Sequence, residues 1–301
     1  MKKILSLILV AALACCSIFA LGSCNQDSNL SKAYDNIVAD LEFDDEGLPE
    51  LVVATSPDFA PMEFVDLAKS GNDQYVGFDI ILAKYIAKEL NMKLVIDPMS
   101  FDACMAAVSS GSADLAISGF SWTADRAETF LISDYYIAGE NENEQILITT
   151  ADSDFNWGTA TDFTGKKIGA QGASLQELLV NEQLVTKGAT VELYKDINTA
   201  VTALKTGEID ALAVAKGNGE ALADDTVVLS DFYFEVDELY KNNVILINKA
   251  DNDLLTQVNA ALAKAMSAGL YDIWYEACQI YAEVKTADEL GYDDEGNKIT
   301  E

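Results

Sequence analysis

The chain has 301 residues, with 50 acidic against 19 basic side chains, a net charge of −31 and no histidine. So acidic a surface repels nucleic acid and anionic lipid headgroups, whose binding needs basic patches. The missing histidine removes Ser-His and Cys-His nucleophiles and every His-based metal site, so no cofactor is expected, and any enzyme would depend on carboxylate, Lys or Tyr chemistry.

At the N-terminus, Lys2 and Lys3 precede an apolar run from Ile4 to about Leu21, read as a secretion signal over residues 1–23 rather than a membrane span. The run ends in Leu21, Gly22, Ser23 and Cys24, which resembles a lipobox. That resemblance implies cleavage before Cys24 and acylation there, with lipid holding the mature chain at the outer face of a membrane or in a periplasm. Cys15 is the competing site, with a shorter apolar core and no leucine three residues upstream. Residues 24–47 read as an acidic tether, or as a short helix around Tyr34 to Leu41. Cys104 and Cys278, both in apolar helical patterns, read as buried thiols or as one disulfide.

From Leu48 to about Ala282, short β-branched runs alternate with amphipathic stretches, the mark of an α/β architecture. A first strand, Leu51 to Thr55, leads through a turn-rich stretch to a helix with Phe78, Ile81, Leu82, Tyr85, Ile86 and Leu90 on one face. A strand at Leu94 to Ile96, a helix capped by Ser100 and a strand at Asp114 to Ser118 complete one set. The rhythm repeats with strands at Gln145 to Thr149 and Lys167 to Ala170, and with a helix opened by a Ser174/Glu177 capping box and running through Val185. A strand at Val191 to Tyr194, a helix from Asn198 to Thr206 and a strand at Ile209 to Val214 follow. A strand at Val244 to Ile247 then leads into a helix ended by Gly269, a last helix carrying Trp274 and a loose acidic tail from Lys285. Two similar halves predict two lobes, with a binding cleft between them.

The sharpest local signal is Ser112 to Tyr136. A strand turns at Gly119, Phe120 and Ser121, Thr123 then caps a helix, and Arg126 sits in its first turn. A cation there opposes the helix dipole, and an anion would repair the mismatch; a surface ion pair with Asp125, Glu128 or Asp134 is the alternative. Arg126 is the only arginine, so a fork-shaped donor has been placed where a lysine would serve a plain surface charge. Gly172, Ala173 and Ser174 offer a second anion-binding turn. GNG at Gly217 to Gly219 reads as loop, and Asp152, Asp154 and Asn156 start a calcium-loop pattern that Trp157 and Phe163 break. Phe59, Phe101 and Phe120 make an apolar pocket wall.

On these residues the chain resembles the family 3 extracellular solute-binding proteins, the amino-acid-binding components of ABC importers, from about Leu51 to Tyr281. TSPDFAPMEF, GFDIILAKYIAKEL, SGFSWTADRAETFLISDYY and GKKIGAQGASLQE carry the resemblance. It implies a two-lobed type II periplasmic-binding fold with lobe 1 at residues 48–139 plus 244–284, lobe 2 at 140–243 and a tail at 285–301. Hinge crossings are expected near Ala138 to Gly139 and Tyr240 to Val244. It implies that Arg126 holds a ligand carboxylate with help from Ser121, Gly119, Ser174 and Gly172, and that Phe59 and Phe101 sandwich the ligand side chain. Ser56 matches a position that is acidic in binders of basic amino acids, which points to an uncharged amino acid. Two positions depart from the pattern. Ile81 replaces an acid of the signature helix, and Ala215 stands where the family has the aspartate that pairs with the ligand ammonium. The expected partners are a small carboxylate solute, a membrane permease and, through the lipid, a membrane; a monomer without catalytic activity is expected. A dehydratase on the same scaffold, resembling cyclohexadienyl dehydratases, and a ligand-presenting sensor component are the alternatives.

Overall fold

The computed structural model describes residues 32–136, 142–153, 160–293 and 295–299. Cys24, the Ala138 to Gly139 crossing, Asp154, Asn156 and Trp157 lie outside the described residues. The strands form two five-stranded sheets. In the first, β1 (Glu50–Thr55) runs parallel to β5 (Lys93–Pro98) on one side and to β6 (Leu115–Ala116) on the other. An antiparallel pair, β13 (Leu246–Ile247) and β7 (Leu131–Ile132), extends the sheet beyond β6. In the second, β9 (Lys167–Gln171) lies between parallel β10 (Thr190–Tyr194) and β11 (Ala211–Ala215); β8 (Gln145–Thr150) adds antiparallel to β11, and β12 (Val227–Tyr233) antiparallel to β8. Each sheet thus orders its first three parallel strands second, first, third, so the repeated rhythm of the sequence is a repeated topology. The small strands β2 (Asp58–Phe59), β3 (Glu63–Val65) and β4 (Tyr75–Val76) occupy the stretch that reads as turns.

The helix Phe78–Leu90 is buried on nearly every side over its first two turns rather than along one face. It is enclosed by β5, by the N-terminal helix Lys32–Leu41 and by the helices Asn252–Ser267 and Leu270–Tyr281. Ile81 is completely buried there, so the replaced acid is a packing change. Phe78 stacks or meets edge-on with Tyr136, Tyr271, Trp274 and Tyr275, at centroid separations of 5.9 to 6.3 Å. Each such buried side chain contributes roughly 1.5–3 kcal/mol.

Of the two readings of residues 24–47, the short helix holds where the stretch is described: Lys32–Leu41 is helical, with Tyr34 at 2% exposure and its hydroxyl accepting from Gly77 N at 3.2 Å. Several other elements differ from their sequence reading. Over its described residues the tail is not loose. It turns through Ala287–Leu290, buries Tyr292 beside Ala33, Ala277 and Ile280, and accepts Asn36 Nδ2 at the Glu295 carbonyl. The GNG stretch lies inside the helix Lys216–Leu222, where a side chain on Gly219 would press on Ile146, Ile148 and Val214; these glycines permit close packing of helix on sheet. Ser100 sits at the cap position of Phe101–Ser110, but its hydroxyl donates to Asp102 rather than capping a backbone N–H. Strand β12 was not anticipated, and Val185 belongs to a 3₁₀ turn after Leu175–Gln183. Cys104 and Cys278 are both buried free thiols. Among the described residues no helix is long and apolar enough to cross a membrane, and no cluster of His, Cys, Asp and Glu could hold a metal ion.

Candidate ligand-binding cleft

The carboxyl ends of β1, β6, β9 and β11 face one another across a cleft between the two sheets, the place where open α/β sheets present their loops to ligands. Arg126 is brought there by its short helix Ala124–Thr129, capped by Thr123 Oγ1 accepting from Arg126 N at 3.3 Å. Its guanidinium lies over Phe101 and Phe120, 5.6 and 5.1 Å from their centroids, and those rings stack at 4.4 Å. Nη1 donates to the Ser121 carbonyl at 2.5 Å and Nη2 to the Ala173 carbonyl of the opposite lobe at 2.9 Å. Arg126 is only 6% exposed, and no carboxylate pairs with it among the described residues; burial pulls its pKa down to about 10, so it stays cationic at neutral pH. A buried, unpaired guanidinium is a strong site for a carboxylate.

Of the other expected site residues, Phe59, Phe101, Ser121, Gly119, Ser174 and Ala215 line the cleft. Phe120 supports Arg126 from behind and is fully buried. Ser56 is buried off the cleft, its N–H donating to Ser118 Oγ and its hydroxyl to Asp58. The backbone N–H groups expected to cradle an anion are engaged elsewhere. Gly119 N donates to Asp79 Oδ2 at 2.7 Å, Gly172 N to the Tyr194 carbonyl and Ser174 N to the Gln171 carbonyl. Ser174 Oγ does cap Glu177 N, but the return bond of the capping box comes from Ala173 N to Glu177 Oε2 rather than from Ser174. Gly172 is therefore a turn residue, and the cleft wall on this side is Ser174 with Leu175 and Gln176. Gly119 has φ +56, and a Cβ there would stand 3.0 Å from the Phe59 ring, so glycine is what lets that ring close over the turn.

Sequence reasoning missed the acids. Glu63, from β3, and Glu142 both line the cleft. Glu63 accepts from Ser118 Oγ at 2.6 Å; burial, and then Asp79 beside it, push its pKa well up. Asp79, in the first turn of Phe78–Leu90, accepts from Gly119 N and Tyr136 OH, with a pKa raised to about 7 by burial against those two bonds. Glu63 through Ser118 and Asp79 through Gly119 N thus fix the strand end and turn that lead to Arg126. Glu63, the second of the two acids of TSPDFAPMEF, was visible as a charge among apolar residues; nothing in the sequence placed Glu142 at the cleft.

Four further bonds join the lobes. Asp58 Oδ2 accepts from Ile197 N at 2.7 Å and from Gln171 Nε2 at 3.1 Å, Asn218 Nδ2 donates to the Ala60 carbonyl at 3.0 Å, and Tyr275 OH donates to Glu142 Oε1 at 2.7 Å. The chain returns from the second sheet to the first at Asn243 and Val244, where Val244 N donates to the Phe120 carbonyl at 2.7 Å.

Residues 51–277 match the model of the bacterial extracellular solute-binding proteins, family 3. A probable histidine-binding protein of Campylobacter jejuni is 29% identical over 74% of this chain and 82% of its own length. The arginine-binding extracellular protein ArtP of Bacillus subtilis is 28% identical over 89% of this chain and 94% of its own. Among solved structures, the amino acid ABC transporter substrate-binding protein AbpA of Streptococcus pneumoniae, bound to L-arginine, superposes with a TM-score of 0.69 at 32% identity, covering 84% of this chain and all of that one.

Proposed function

The chain belongs to the bacterial extracellular solute-binding proteins of family 3, with their two-lobed type II fold, and on that premise we propose that it captures an amino acid between its lobes and hands it to an ABC permease. The observation that carries this reading is Arg126, a buried guanidinium on the cleft wall that no carboxylate neutralises among the described residues. The ligand carboxylate docks on that fork, Ser121 and Ser174 flank it, and Phe59 and Phe101 hold the side chain. Lobe 1 comprises residues 48–139 and 244–284 and lobe 2 residues 140–243, moving about the two crossings as the cleft closes. The protein binds without turning its ligand over and works as a monomer. Outside the cell it is anchored through Cys24; a Cys24→Ser variant is expected to escape into the medium and to take up no labelled fatty acid.

The family position at Ser56, acidic in binders of basic amino acids, speaks for an uncharged amino acid, although Ser56 itself lies behind the cleft wall. A second reading, a cationic amino acid, is favoured by Glu63 and Glu142 on the cleft wall and by relatives named for histidine and arginine. A thermal-shift panel of the protein amino acids separates the two, because bound ligand raises the midpoint by mass action. No shift with any amino acid would sink the proposal, and consumption of a stabilising ligand would replace it with an enzyme.

A further inference from the structure

The family pattern places the ammonium-pairing aspartate at Ala215, which is 1% exposed, lines the cleft and caps the helix Lys216–Leu222 with no side-chain bond. Ala215 pairs with Gln145 in the antiparallel ladder of β11 and β8. In such a ladder, residues before Gln145 meet residues after Ala215. Lys216 N accordingly donates to the Glu144 carbonyl at 2.8 Å, and its ammonium pairs with Glu144 Oε2 at 2.5 Å. Two residues earlier, Glu142 arrives over Gly217, so closely that a Cβ on Gly217 would collide with Glu142 Oε1. The carboxylate missing from position 215 is therefore present beside it, delivered by a different segment.

Its bonding leaves half of it unused. Tyr275 OH holds Oε1 at 2.7 Å and Gln145 Nε2 holds the Glu142 carbonyl at 2.9 Å, while Oε2 is buried without a partner. Glu142 is 8% exposed and lines the same cleft as Arg126. A buried carboxylate oxygen with nothing to accept from is costly unless a donor arrives. The other acids are spoken for or misplaced. Glu63 Oε2 is likewise buried without a hydrogen-bond partner, but Glu63 stands on β3 beside Ser118 and Asp79, with no contact to the Ala215–Gly217 corner, and Glu220 lies one turn further along Lys216–Leu222, outside the cleft lining.

We propose that Glu142 reads the ligand's α-ammonium in place of the aspartate absent at Ala215, and that Gly217 is glycine to admit its carboxylate. This rests on the reading that an amino acid docks its carboxylate on Arg126. Burial raises the Glu142 pKa to about 8, with Glu220 and Asp79 adding to the rise and Tyr275 opposing it; an incoming ammonium, already charged, draws it back down, and the carboxyl releases its proton to solvent.

The test is calorimetry on the full-length protein. The probes are the protein amino acid giving the largest thermal shift and the same acid lacking its amine. Glu142→Gln is expected to lose at least tenfold affinity for the amino acid and to leave the deaminated acid unchanged. Adding Ala215→Asp to Glu142→Gln restores amino acid binding, because position 215 already has cap geometry suited to aspartate. Unchanged amino acid affinity in Glu142→Gln overturns the inference while the proposed function stands. Equal loss of both probes in a variant with wild-type circular dichroism overturns it too. Failure of every amino acid to bind the wild-type protein overturns both.

Discussion

Arg126 Nη2 reaches across the cleft to the carbonyl of Ala173, 2.9 Å away, so the residue proposed to hold the ligand carboxylate also ties one lobe to the other. Ala173 is held at φ +64 to present that carbonyl, and Nη1 is taken by Ser121. A guanidinium has five donors, so a carboxylate can be added to this arrangement through the remaining N–H groups. Arg126→Ala is expected to cost on the order of 2–5 kcal/mol of binding free energy. Arg126→Lys keeps the charge and loses the fork, and should recover only part of that affinity. Calorimetry on the two variants checks both; wild-type affinity in Arg126→Ala would remove the carboxylate site.

Asp58 is the second tie between lobes. Its Oδ2 accepts from Ile197 N and Gln171 Nε2, while Oδ1 accepts from Ser56 Oγ. A hydrogen bond to a charged group is worth about 1.5–3 kcal/mol, and both of the bonds to Oδ2 exist only when the lobes meet. Asp58→Ala is therefore expected to shift the protein toward an open form. Small-angle scattering should report a larger radius of gyration than wild type, and ligand affinity should fall about tenfold, since about 1.4 kcal/mol corresponds to that factor. An unchanged radius would mean that Asp58 does not favour closure.

Much of the fold was legible because β-branched runs and the 3.6-residue apolar pattern respond to local physics: β1, β5, β9 and Phe78–Leu90 fall within one or two residues of their expected places. What failed depended on partners distant in sequence. Gly217 and Gly219 look like loop glycines until Glu142, Ile146 and Ile148 are seen against them. The acidic tail looks soluble until Tyr292 finds Ala33 and Ile280. At the cleft, Arg126 stood out because it is unique and misplaced on a helix dipole, whereas Glu142 is one acid in a run of acids. Its role depends on the register Ala215 to Gln145, which a sequence does not print.

Buried acids give the stability an unusual pH dependence. Burial raises Asp79 to about 7, against the bonds it accepts from Gly119 and Tyr136, and raises Glu142 to about 8. A folded state that holds protons more tightly than the unfolded chain is favoured at low pH. That stability is fully present below the unfolded carboxylate values near 4 and is lost as pH rises through the folded values. The thermal midpoint is expected to fall between pH 5.5 and 8.5, and the slope to be shallower in Glu142→Gln. A midpoint that rises over this range would contradict the burial of these groups as acids.

The two ends of the described chain form a clasp away from the cleft. Tyr292, 5% exposed, packs with Ala33, Ala277 and Ile280, and its hydroxyl donates to Glu276 at 3.1 Å. Lys298 bonds the same Glu276 carboxylate and the Leu290 carbonyl, while Gly296 comes so close to Ala33 N and Lys32 that a Cβ there would clash. Tyr34, on the same helix as Ala33, accepts from Gly77 N, at the start of the helix that carries Asp79. Tyr292→Ala removes a large buried side chain and leaves a cavity, which costs on the order of 3–5 kcal/mol for an aromatic residue. Chemical denaturation should show that loss, while ligand affinity stays at the wild-type value because no residue of this cluster lines the cleft. A loss of affinity as large as the loss of stability would mean that the clasp reaches the cleft through Tyr34 and Asp79.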